Sequence, residues 1–187
     1  MGEVVAALCG GYIPDRWRDM RVVLMPKPGR ELIQTKNWRP LNLINSIGTL
    51  GEKVLADRIQ VEGRSLLHRQ QYGSVHGRSA VDVLYKSVVK ARQCLYGGGS
   101  VGWAFWDVKG GFQNVQNAEV LTRIEGCGPL QCWLPWLQKF MSRWEFEVEW
   151  DSSVRGRAVA AKGVPQGSPL SPVLFLVFMA PILEEME

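Results

Sequence analysis

Asp107 ends the apolar run Val101-Gly-Trp-Ala-Phe-Trp106 and is followed, three residues on, by Gly110-Gly111. The run is rich in aromatic and β-branched residues and predicts a buried strand over Val101 to Val108. The two glycines let the backbone bend sharply after it. A carboxylate on a stiff strand end, beside backbone amides free to turn toward an anion, suits a Mg²⁺ ion that arrives with phosphate. That ion prefers oxygen ligands and is commonly held by one or two carboxylates plus substrate phosphates. The plain alternative is an Asp that caps a turn. A second segment reads Gly163-Val-Pro-Gln-Gly-Ser-Pro-Leu-Ser-Pro172. Pro165 and Pro169 stiffen it, Gly167 permits close approach of another backbone, and Gln166 offers both a donor and an acceptor. A third pair of segments, Pro26-Lys-Pro-Gly29 and Asn37-Trp-Arg-Pro-Leu41, sets Lys27 and Arg39 on stiff turns. There they can clamp a triphosphate, the Arg through paired donors, or simply be solvated.

The elements that must position these residues follow from periodicity and punctuation. Residues 1–20 read as a helix end broken by Gly10-Gly11 and Pro14. Met20 to Met25 reads as a strand stopped by Pro26-Lys-Pro-Gly29, with residues 37–40 in a loop. Asn45-Ser46 caps a helix to about Gln60, with Ile47, Leu50, Val54, Leu55 and Ile59 at helical spacing. Ser79 with Asp82 forms a capping box for a helix to about Leu95, and Gly97-Gly-Gly-Ser100 ends it. A helix from Gln116 or Asn117 stops at Gly126, and another over Leu130 to Met141 is interrupted by Pro135. Trp144-Glu-Phe-Glu-Val-Glu-Trp150 alternates apolar and acidic residues throughout, a strand with its return partner near Arg155 to Ala161. Ser171-Pro172 opens a last helix, with Pro at the tolerated first position.

Composition narrows the classes. The 187 residues are 46% hydrophobic and 21% charged, a globular balance. The longest apolar run, Val173 to Pro181, falls short of the ~20 residues of a membrane span, and no signal peptide or myristoylation pattern opens the chain, so no membrane partner is expected. The four cysteines, at 9, 94, 127 and 132, have no C-x-x-C spacing; a zinc site is not expected and buried reduced thiols are. The net charge of +4 is mild, but Lys and Arg crowd the first 92 residues, as a groove that tracks a polyanion backbone would require. The Gly97–Ser100 tract is the expected boundary between a basic front part, 1–96, and an α+β back part, 97–187.

In this order and spacing, the segments resemble the reverse transcriptase of non-LTR (LINE-like) retrotransposons over about residues 20 to 187. Asp107 with Phe112 five residues on is similar to the family's motif A, and Gly-x-Pro-Gln-Gly-x-x-Leu-Ser-Pro to its motif B. The resemblance implies a right-hand polymerase: basic fingers over 1–96 and a partial palm over 97–187, with an antiparallel palm sheet and packed helices, α+β and incomplete. It implies Asp107 as the catalytic residue and metal ligand, for magnesium with manganese as an alternative. Val108, Gly110, Gly111 and Phe112 would meet the incoming deoxynucleoside triphosphate, Phe112 under its sugar. Pro165, Gln166 and Gly167 would pack against that nucleotide and the templating base, and Lys27 and Arg39 would touch its phosphates. Leu55-Ala-Asp-Arg-Ile59, Gln71-Tyr-Gly73 and Gly77-Arg-Ser-Ala80 match as well, so Arg58, Arg78 and Ser79 would line the path of an RNA template and DNA primer. Arg58 is equally placed to pair with Asp57 or Glu62. Departures are Ser74-Val75 for the usual Phe-Arg, Gln113 for the usual Asp, and Trp106 for Leu.

The aromatic-x-Asp-Asp of motif C does not occur before Glu187. One carboxylate cannot hold two metal ions against phosphate, so the chain by itself is expected to be inactive. The Val101–Val108 strand would keep an open edge, and the 144–161 hairpin has no assured place in a shortened sheet. Alternatives from other classes are a non-catalytic nucleic-acid-binding remnant of a retroelement and a group II intron maturase-like reverse transcriptase. A nuclear, intracellular location follows from the resemblance alone. Template, insertion target and oligomeric state are left open.

Overall fold

The computed structural model describes residues 10–14, 17, 20–29, 31, 33–34, 37–142, 144–150, 153–160 and 162–186. Most of the helix end expected within residues 1–20 lies outside that set. Four strands form one sheet in the order β2-β1-β3-β4. They are β1 Met20–Pro26, β2 Trp38–Leu43, β3 Trp144–Trp150 and β4 Ser153–Ala160. β1 pairs antiparallel with β2, and β3 antiparallel with β4, but β1 runs parallel to β3, from Met20 opposite Phe146 to Val23 opposite Glu149. The expected antiparallel sheet is thus mixed: two hairpins lie side by side, and all of residues 27–143 connects their first strands. The 144–161 hairpin has a defined place, against β1. The segment expected to be a loop at 37–40 is largely strand, with Pro40 opposite Leu24. Proline is tolerated there because β2 is an edge strand, where a missing N–H breaks no ladder.

The run Val101–Val108 forms no strand. Phe105 and Trp106 are 90% and 84% exposed, and Trp103, half exposed, stacks on Phe105 at 6.3 Å between ring centroids. Its composition favours a strand, but no sheet neighbour meets it among the described residues, and an extended chain without a neighbour buries nothing.

Five helices lie among the described residues: α1 Ser46–Glu62, α2 Ala80–Tyr96, α3 Asn117–Glu125, α4 Leu134–Phe140 and α5 Ser171–Glu185. Asn45 caps α1, accepting the Ile47 N–H at 2.9 Å. The buried face of α1 is rotated from the apolar stripe in its sequence. Ile47 and Leu50 are exposed, whereas Gly48, Glu52, Leu55, Ala56 and Ile59 are buried. Gly48 admits Trp17 to within 3.3 Å of where a Cβ would stand, which fixes that face. Pro135 sits in the first turn of α4 rather than interrupting a longer helix, and the residues before it, Gly128–Trp133, wind as a 3₁₀ turn. Leu55 and Ile59 of α1, Ile124 of α3, Leu137 of α4 and Leu174 of α5 are fully buried in one core. That core and the sheet both draw on residues before and after Gly97. Cys127 is buried, while Cys94 and Cys132 are exposed, so the thiols are not uniformly in the core.

The capping box of α2 is formed as expected. Ser79 Oγ accepts the Asp82 N–H at 3.2 Å, and Asp82 Oδ2 accepts the Ser79 N–H at 2.7 Å. Ser79's hydroxyl and amide hold the Asp82 carboxyl below its ordinary range. No residue of α2 is buried, so its start rests on this cap. Ser79→Ala should cost the helix about 1 kcal/mol and speed hydrogen exchange of its first-turn amides about fivefold. Unchanged exchange there would show that the box does not hold the helix start.

Candidate functional site

Phe112–Asn114 wind into a single 3₁₀ turn after Gly110, whose φ of +63° suits glycine. Asn114 fixes the bend, donating its backbone N–H to Gly110 O at 3.1 Å and its side-chain amide to Lys109 O at 3.2 Å. The segment Lys162–Val164 is fastened along this turn. Val164 N–H donates to Phe112 O at 2.9 Å, Gly163 N–H to Val115 O at 3.2 Å, and Lys162 Nζ to Asn114 Oδ1 at 3.4 Å. Gly163, at φ +83°, leaves only 2.7 Å between a notional Cβ and Phe112 O. The Phe112 ring meets Phe175 of α5 edge-on at 5.5 Å, and Gly111 lies against the same ring. The turn after Asp107 and the segment leading into Pro165-Gln-Gly are therefore one packed unit.

The Pro-Gln-Gly bend then crosses the outer edge of β2. Asn42 N–H donates to Gln166 O at 3.0 Å. Gly167, at φ +117°, passes so close that a Cβ would stand 2.8 Å from Asn42 O. Ser171 Oγ donates to Pro165 O at 2.8 Å, and Ser168 N–H to the same oxygen at 3.3 Å. Ser168 Oγ accepts the N–H groups of Leu170 and Ser171 at 3.1 and 3.3 Å and donates to the carboxyl of Glu52 on α1. Glu52 is 3% exposed; burial pushes its carboxyl up to about 7, partly offset by the Ser168 hydroxyl.

Between these pieces lies a cleft of about 440 Å³. Pro40 and Asn42 of β2, Gln113 of the turn, and Lys162 and Gln166 line it over a floor that includes Phe146. Its half-buried Gln166 and backbone groups supply donors and acceptors in a concave, partly apolar setting, the kind of surface that holds a nucleotide-sized ligand.

The other sequence-derived residues lie elsewhere. Asp107 and Val108 are exposed and do not line the cleft. Lys27 is half-buried at the β1–β2 connection, where its N–H donates to Asn37 O at 2.8 Å. Arg39 is exposed and, one residue before Pro40, stands on the opposite face of β2. Among the described residues no three His, Cys, Asp or Glu side chains gather to hold a metal ion. Among the described residues Asp107 would supply one ligand and no second carboxylate gathers beside it into a metal centre. Arg58 pairs with Glu62 one turn along α1. Arg78 donates to the Arg69 and Gln71 carbonyls at 2.7 Å each and lies over the Tyr72 ring, and Ser79 caps α2. All three therefore have a task inside the fold. Buried Gln71 ties its loop to α5, donating to Leu176 O at 2.8 Å. Glu52, Asn114 and Lys162 stand outside the motif segments. An Asn three residues after a glycine pair is a usable turn signal for Asn114. Nothing in the string separates a buried Glu52 from a solvated one.

The fold is a mixed α/β domain with a cleft beside two packed loop segments, and residues 25–187 match the family "Reverse transcriptase (RNA-dependent DNA polymerase)". The chain belongs to that family. Among its relatives is the "Probable RNA-directed DNA polymerase from transposon BS" of Drosophila melanogaster, 25% identical over 171 residues, covering 90% of this chain and 19% of the relative. The "RNA-directed DNA polymerase from mobile element jockey" of the same organism is 25% identical over 170 residues, covering 90% of this chain and 18% of the relative. The "Putative 115 kDa protein in type-1 retrotransposable element R1DM" is 29% identical over 185 residues, covering 95% of this chain and 17% of the relative. The likeness to non-LTR retrotransposon reverse transcriptases read from the motifs is met by these relatives. The chain spans less than a fifth of their length.

Proposed function

We propose that residues 25–187 form the nucleotide-binding face of an RNA-directed DNA polymerase, acting on an RNA template, a DNA primer and deoxynucleoside triphosphates. The observation that carries this reading is the Val164 N–H to Phe112 O bond with Gly163 wedged beside it, because it joins the two motifs that must share one nucleotide. The family's reaction is attack of a primer 3′-oxygen on an α-phosphate with loss of pyrophosphate; a divalent ion, magnesium or manganese, would supply neutralisation of the phosphates, with Asp107 as the one ligand offered here. This chain's share is positioning. Gln113 and Gln166 orient base or sugar in the cleft and Lys162 draws in the phosphates, while Phe112, packed on Phe175, backs the turn that carries Gln113. Arg58, Arg78 and the α2 start flank the template, and Asp107 offers one metal ligand. A nuclear location accompanies this reading.

One motif carboxylate does not equip residues 1–187 for turnover. Purified, they should bind a labelled RNA–DNA template–primer with an affinity that falls steeply with salt, yet extend the primer by no nucleotide. Clear incorporation of deoxynucleotides would contradict the inactivity. Absence of salt-dependent binding would favour a remnant without a nucleic-acid partner.

A further inference from the structure

The Pro-Gln-Gly bend is gripped from two sides by one short stretch of chain. Asn42 at the end of β2 holds Gln166 O, and ten residues on Glu52 of α1 holds the Ser168 hydroxyl. The direction of the second bond is forced. A serine hydroxyl has one hydrogen and two lone pairs. Ser168 spends both lone pairs on Leu170 and Ser171 N–H, so its hydrogen must go to Glu52. All three groups are buried: Glu52, Ser168 and Ser171 are 3%, 3% and 0% exposed. A buried carboxylate with one fixed donor is a costly anchor and a directional one.

We propose that Glu52 is the positioning residue of the nucleotide-facing bend, clamping Gln166-Gly167-Ser168 to the β2–α1 unit so that bend and strand edge move as one body. This rests on the nucleotide-binding reading above. Glu52 touches no part of the cleft and acts only through Ser168. Removing its carboxyl leaves the Ser168 hydrogen without its acceptor, loosens the start of α5, and leaves Asn42 as the bend's remaining tie to the β2–α1 unit.

Amide hydrogen exchange of residues 1–187, with dATP titration alongside, tests it. In Glu52→Ala the amides of Asn42, Leu170 and Ser171 should exchange at least about tenfold faster, while those of β3, β4 and α3 keep their rates. Glu52→Gln, which retains an acceptor oxygen, should restore protection. The dATP affinity should fall about tenfold in the first variant and recover in the second. If Glu52→Ala does not fold, Ser168→Ala carries the test through the Asn42 amide, because that variant also deletes the acceptor of the Leu170 and Ser171 N–H groups. Wild-type exchange at all three amides, or protection lost evenly over every element, overturns the positioning role. Local loosening in a chain whose wild type takes up no dATP leaves the clamp standing and removes the nucleotide-binding reading instead.

Discussion

Gly163→Val is expected to destabilise residues 1–187 by at least about 3 kcal/mol and to abolish nucleotide uptake at the cleft. Two penalties combine. A β-branched residue at φ +83° is strained wherever it is placed, and here its Cβ would also stand 2.7 Å from Phe112 O and 2.8 Å from Gln113 O. Those oxygens are backbone and cannot swing aside as a flexible side chain would. Relief requires parting Val164 N–H from Phe112 O, the bond that joins the two motif segments. Gly73→Ala is the control: its Cβ would meet nothing within 4 Å, and the change should stay within about 0.5 kcal/mol. Urea unfolding reads both. A midpoint for Gly163→Val equal to that of Gly73→Ala would mean that the segments are not packed as described.

Glu52 gives the second large effect, on stability against pH. Burial raises its carboxyl from 4.5 to about 7, so between those values the folded chain binds a proton that the unfolded chain has lost. Stability from this group is complete below the unfolded value and is lost as pH rises through the folded one, a change of about 3 kcal/mol in all. Among the described residues no other charged side chain lines the small cavity beside Glu52, which Trp17, Trp136 and Trp144 wall, and the Ser168 hydroxyl offsets the burial only in part. Glu52→Gln is neutral throughout. Its unfolding free energy, measured by urea at pH 5 and pH 8, should drop less than that of wild type by about that amount. Parallel losses in the two proteins would show Glu52 to be solvated.

Much of this architecture is legible in the residues, and the illegible parts have physical causes. Periodicity and punctuation carry what is local. The alternation of Trp144–Trp150, the Ser79–Asp82 box and the glycine stops at 97 and 126 all appear where the chain puts them, because each depends on neighbours a few residues away. Pairing is not local. Val101–Val108 has strand composition and no strand partner, whereas Trp38–Leu43 carries a proline and still pairs because an edge will accept it. The parallel contact of β1 with β3 joins segments more than a hundred residues apart and leaves no trace in either. The site divides the same way. Gly163 and Gly167 announce close approach, though not to what, and Glu52 reads as one more exposed helix acid. The family likeness pairs motif A with motif B, and the bonds that join them, Val164 N–H to Phe112 O and Gly163 N–H to Val115 O, exist only in the folded chain.

The most direct measurement is photo-crosslinking of residues 1–187 with an aryl-azide deoxynucleoside triphosphate, competed by the unmodified nucleotide and mapped by mass spectrometry. Competable label should fall on the peptides holding Phe112–Asn114 and Pro165–Gly167, and Gly163→Val should remove it from both together. Competable label confined to α2 or to the outer face of β4, with none at either motif, would contradict a nucleotide held between the Asp107 turn and the Pro-Gln-Gly bend.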